Sequence, residues 1–158
     1  MTINTKQVTG RRELHFESID NVVHDAEQIT SGDAKSLGNW TPGQILQHLA
    51  LSMNNAVDGV PFKAPLFIRL IAPLFKKSFL TKPMPPGFKM PKQMEPKFMP
   101  LEDVSTEQGL AALREAAERF KSATSFEPNA ALGKLTREQQ HQLQFRHAEM
   151  HLSFIVPS

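Results

Sequence analysis

The chain contains no cysteine, which excludes disulfides, thiolate metal ligands and a cysteine nucleophile together. Any thiol chemistry would have to use a thiol carried in by another molecule. No apolar run approaches the length needed to span a bilayer, and Met1 to Arg12 is polar, without the apolar core of a signal peptide. A cytoplasmic protein that engages no membrane is expected. Lys and Arg are spread among acidic residues and the formal charge is only +2, so the dense basic footprint of a nucleic-acid binder is missing as well. The sequon Asn39-Trp40-Thr41 has no secretory signal to give it meaning.

What is present fits one ordinary domain. The 158 residues are 40% hydrophobic and 22% charged, near the averages for a globular chain. A single domain over 1–158 is expected, with 1–11 as a loose N-terminal segment. Ile19, Val22, Val23, Ala26 and Ile29 recur at helical spacing and predict a first helix from Glu13 to Ile29. Thr41 as cap, Pro42 at the first helical position and Gln44 three residues after the cap predict a second helix. It runs through Ile45, Leu49 and Met53 to about Val57, ending near Gly59.

From Pro61 to Pro100 the pattern changes. An aromatic and aliphatic stretch, Phe67 to Leu80, predicts a short helix near Pro73, and the six prolines between Pro83 and Pro100 exclude a long one. Phe88, Met90, Met94, Phe98 and Met99 are too apolar for a solvated linker, so this crossover is expected to wrap against the helices. Ser105 and Gln108 form a second capping box ahead of Leu110, Leu113, Ala117 and Phe120. Thr136 caps the last helix, expected to run through Leu143, His147, Met150, His151 and Phe154, a stripe that should face the core, and to stop before Pro157. The pattern is all-α: a four-helix bundle with a long proline-rich crossover between helices two and three.

His147 and His151 stand four residues apart, so their rings lie one turn above each other and could share an ion. His48 borders the apolar stripe of helix two. Spacing leaves two readings open, because a histidine near a core is often hydrogen-bonded packing and an H-x-x-x-H pair occurs by chance on many helices. His15, His24 and His141 fall off the predicted stripes or beside loops and are expected in solvent.

The segment from Leu37 through Gly38-Asn39-Trp40-Thr41-Pro42-Gly43-Gln44 to His48-Leu49-Ala50, with the ending His147-Ala148-Glu149-Met150-His151-Leu152-Ser153-Phe154-Ile155, resembles the DinB/YfiT-like superfamily. More narrowly it is similar to a bacterial branch of it known as a domain of unknown function. Pro86-Gly87-Phe88 and Gly133-Lys134-Leu135-Thr136 extend the resemblance over most of the chain. The resemblance implies a four-helix bundle in which His48, His147 and His151 hold a divalent metal ion, zinc or nickel first, with iron and manganese also compatible. It departs at Met150, where a further histidine would stand, and at Glu127 to Gly133, where His-Pro-x-Phe-Gly would stand. Both departures bear on the shape of the pocket.

Relatives in that superfamily include S-transferases and isomerases that use small thiols such as bacillithiol or mycothiol. The resemblance therefore implies a metal-dependent thiol S-transferase or hydrolase with a small-molecule substrate. Gln44, Ser52, Asn55 and Glu149 are candidates to surround the ligands, Glu149 being read rather as a solvated carboxylate. The alternative is a non-catalytic, metal-stabilised bundle that binds a small molecule or a partner, and the blandest reading is a metal-free bundle. The apolar residues from Phe67 to Leu80 suit a homodimer contact or a crossover covering its own core.

Overall fold

Polar caps start every long helix. In the computed structural model, which describes residues 2–89 and 91–158, the Ser18 hydroxyl accepts from Asn21 N at the head of α1 (Ile19–Thr30). Reciprocal capping boxes open α2 (Pro42–Asp58) with Thr41 and Gln44, α6 (Thr106–Ser122) with Ser105 and Gln108, and α7 (Arg137–Leu152) with Thr136 and Gln139. Between α2 and α6 lie three short helices, α3 (Leu66–Ile71), α4 (Lys76–Thr81) and α5 (Glu95–Phe98), with a 3-10 turn over Ala72–Phe75 joining the first two at Pro73. The chain is mostly helical.

The four long helices pack on one another: α2 against α6 and α7, α1 against α6 and α7. Val22 and Ala26, Leu46, Leu49 and Met53, Leu113 and Phe120, and Ala148 and Leu152 meet in one core. At two glycines, backbone of the α2–α6 contact leaves no room for a side chain. A Cβ on Gly43 would stand 2.4 Å from Ser105 O, and one on Gly109 would stand 2.3 Å from Gly43 O. Both positions lack a side chain because backbone occupies its place.

Three expectations need correction. The first helix starts at Ile19, not near Glu13, because residues 13–18 run unwound over α7: Phe16 N donates to Glu149 Oε1, and Phe16 O accepts from Arg146. The last helix ends at Leu152, and the chain turns into a strand. β1 (Ala34–Ser36) pairs antiparallel with β2 (Ile155–Pro157), Ser36 opposite Ile155. Phe154 therefore lies beyond the helix. Finally, the face of α7 in the core is Phe145, Ala148 and Leu152, while Leu143, His147, Met150 and His151 are only partly buried. This helix touches α1, α2 and α4, so its residues are covered on several sides and no single apolar stripe marks the core.

The N-terminal segment is held at several points. Ile3 and Asn39 exchange two hydrogen bonds, and Arg12 makes a bidentate pair with Asp25 while donating to the carbonyls of Leu152 and Ile155. The crossover lies against the helices where Asn55 donates to Lys97 O, where Gln47 Oε1 accepts from Leu101 N and at the buried Leu80, while Phe88 and Met99 stay exposed. Met90 lies outside the described residues. Among the described residues no helix is long and apolar enough to cross a membrane.

Candidate metal centre

The capping box at Thr41 fixes where α2 begins, and two turns later His48 points inward and is buried. Its Nδ1 lies 2.6 Å from Phe98 O, the last residue of α5. A carbonyl can only accept, so Nδ1 carries the proton and Nε2 keeps a free lone pair. That lone pair points at His147 Nε2, 3.2 Å away.

His147 and His151 reach the same point from α7. Ligand atoms of His48, His147 and His151 all lie within 4.8 Å of one another. Ring centroids are 5.0 Å apart for His48 and His147, 4.5 Å for His48 and His151, and 4.6 Å for His147 and His151. Two imidazole nitrogens about 2.0–2.1 Å from a tetrahedral ion would stand about 3.3–3.5 Å apart. The observed 3.2 Å separation fits that geometry. A backbone carbonyl on the far nitrogen of His48 is also the usual way a ligating imidazole is oriented.

The electrostatics suit neutral ligands. Burial lowers the pKa of His48 against the opposing pull of the Phe98 carbonyl. Burial, then the neighbouring His48, brings His147 down to about 3. His151 is held well below its ordinary value by burial, the other two rings and Arg11. All three therefore present lone pairs at neutral pH, as metal binding requires.

Two residues that sequence reading did not single out complete the surroundings. Trp40 stacks on His151 at 5.6 Å and 15° and stands 4.8 Å from His48. Arg11 donates to Ser153 and the Met150 carbonyl and lies over the Phe154 ring. The proximity of Trp40 and His48 was in principle legible from Trp40-Thr41-Pro42, since the cap fixes the tryptophan at the mouth of α2. Arg11 gave no such signal.

The four surrounding candidates divide. Ser52 and Asn55 line a cleft of about 880 Å³ between α2, α7 and the crossover, whose walls include Phe67, Ile71, Phe75 and Leu143. The three histidines are not among its lining residues. Ser52 Oγ donates to Gln144 Oε1 at 3.1 Å; Ser52 follows His48 by one turn and Gln144 precedes His147 by one, so this pair stands between cleft and histidines. Gln44 is occupied by its cap and by the Leu101 and Glu102 carbonyls. Glu149 is not solvated: it is 7% exposed and bonds Arg146 at 2.6 Å and the Phe16 amide. A long helix packed on several sides leaves little of its length in solvent, which the polar appearance of α7 concealed.

Of the other histidines, His15 and His24 are exposed as expected. His141 is not: it is half-buried with its ring 4.9 Å from Phe120 and 6.0 Å from Phe145, and burial, then Arg137, lowers its pKa.

A family profile for a protein of unknown function (DUF1569) matches residues 8–158. The chain belongs to that family. As a DUF1569 member it is covered from Val8 to its last residue, so the N-terminal docking segment, the crossover and all three histidines lie inside the family's span. No curated protein and no solved structure matches it.

Proposed function

We propose that this DUF1569 protein is a divalent-metal protein built as a DinB-like four-helix bundle from α1, α2, α6 and α7, with His48, His147 and His151 as ligands. The reaction that fits this site is activation of a small thiol, or of water, for transfer to or hydrolysis of an apolar substrate. The observation that carries the reading is the convergence of three neutral imidazoles within 4.8 Å, with the His48 tautomer set by Phe98 O. Zinc and nickel suit three imidazoles; iron and manganese are accepted by the same donor set.

A bound divalent ion would supply Lewis acidity, lowering the pKa of a thiol or water in an open position. The chain's own residues do the rest. Phe98 O holds the His48 ring, and Trp40 shields one side from water. Arg11, which depresses His151, offers a fixed positive charge to an anionic group beside that ring. The cleft takes an apolar body, and the Ser52–Gln144 hydrogen bond must shift for that body to reach the histidines. With no cysteine in the chain, the thiol arrives with the cosubstrate.

His147 and His151 are only partly buried, which favours a catalytic ion with open positions over a sealed structural one. Cobalt(II) titration of metal-free protein tests this reading. Visible ligand-field bands should appear on binding, and a small thiol should add a thiolate-to-cobalt charge-transfer band. Binding without any response to thiol or to model electrophiles would favour the non-catalytic, metal-stabilised binding module.

A further inference from the structure

Charge is distributed unevenly along this chain. Residues 60–100 hold eight lysines and arginines against one acid, Glu95, a net +7, while the ten basic and fifteen acidic residues elsewhere leave −5. The same segment holds several strongly exposed aliphatic residues. On α3 and the turn after it, Leu66 and Leu70 are each 67% exposed and Leu74 is 80% exposed. Leu66 and Leu70 stand four apart on one side of α3, Leu74 follows in the 3-10 turn, and none of them lines the cleft. Arg69, Lys77 and Lys82 are exposed on the same stretch.

We propose that this outer face of the crossover docks on an anionic lipid surface. Leu66, Leu70 and Leu74 would enter the boundary between headgroups and acyl chains, and the exposed cations around them would meet lipid phosphates. An apolar ridge rimmed by Lys and Arg, too short to span, is the form of an in-plane membrane contact. The absence of a spanning helix among the described residues is consistent with that mode.

Two rival occupants fit less well. A twofold dimer through this face would set Arg69, Lys77 and Lys82 against the same cations of the second copy, since an isologous interface joins the same patch of both copies. Single-stranded nucleic acid would satisfy the charge, but its bases stack on aromatic rings, and the exposed rings of this segment, Phe67, Phe75 and Phe88, line the cleft, whereas the outer face carries leucines. The inner side of the crossover helices carries Phe67, Ile71 and Phe75 into the cleft. Docking would therefore bring the cleft's apolar wall next to the lipid. Docking through this face requires no metal ion.

The test is co-sedimentation of the full chain with phosphatidylcholine vesicles, with and without phosphatidylglycerol, at low and high salt. Binding is expected only with phosphatidylglycerol and should weaken as salt rises. Charge reversal in Arg69→Glu/Lys77→Glu should weaken it at least about tenfold, taking about fivefold for each cation lost near the surface. Leu70→Glu/Leu74→Glu should abolish it, with unchanged helicity and melting for both variants. Equal partition to both vesicle types, or binding indifferent to both variants, would overturn the proposal. So would no vesicle binding combined with self-association that Leu70→Glu/Leu74→Glu removes, or with retention of an oligonucleotide.

Discussion

His48 owes its orientation to the backbone rather than to another side chain. Because Phe98 O takes its Nδ1 proton, the Nε2 lone pair is available without a carboxylate partner, and the crossover is thereby tied to the site. The three rings also make the metal-free protein acid-sensitive. Unfolded histidines take up protons near 6.5, whereas His147 in the folded state resists until about 3, and His48 and His151 are shifted in the same direction. Unfolding therefore binds protons across that window, and stability should fall as pH drops from about 6.5 towards about 3, not as it rises. Melting of chelated protein as a function of pH checks this; replacing His147 by Gln should flatten the slope. Glu149 makes a separate prediction. Glu149→Ala leaves the buried Arg146 guanidinium without its carboxylate and should cost about 3–5 kcal/mol in chemical denaturation. A surface glutamate would cost almost nothing.

At the scale of elements, the helix starts were the most legible features. Thr41 with Gln44 and Ser105 with Gln108 are local chemistry, and a hydroxyl three residues ahead of a glutamine needs no tertiary knowledge to be read. The Thr136–Gln139 box is equally local, and both of its members lie in the open sequence. The close α2–α6 contact was not legible, because Gly43 and Gly109 read as weak points in helices until the partner backbone is seen. Gly43→Ala and Gly109→Ala should each destabilise the protein by about 1–3 kcal/mol or more, since backbone must move to admit the methyl group. Alanine is the better helix former at an open position, so a stabilising effect in thermal melts would show that the helices do not meet there. The short β1–β2 pairing escaped notice because three residues carry too little alternation to announce a strand.

Across the whole molecule, chain ends and crossover converge on the ends of α7. Arg12 bonds Asp25, the Leu152 carbonyl and the Ile155 carbonyl together, so Arg12→Ala should loosen the α7–β2 junction and lower stability by about 1–3 kcal/mol. The triad itself was legible only in part. Helical spacing placed His147 beside His151, but nothing local joins them to His48, 99 residues away from His147. Resemblance supplied that link, and the fold supplies the distance. Overall charge likewise concealed the basic crossover, because +2 is the sum of two opposed regions. The central claim is the ion, and its most direct measurement is elemental analysis of untagged protein purified without added metal, beside a His48→Ala/His151→Ala variant. About one divalent ion per chain is predicted for the native protein, with none in the variant while its circular dichroism stays helical. A folded variant that keeps a stoichiometric ion, or a native protein that takes up none when zinc or nickel is offered, would contradict the account.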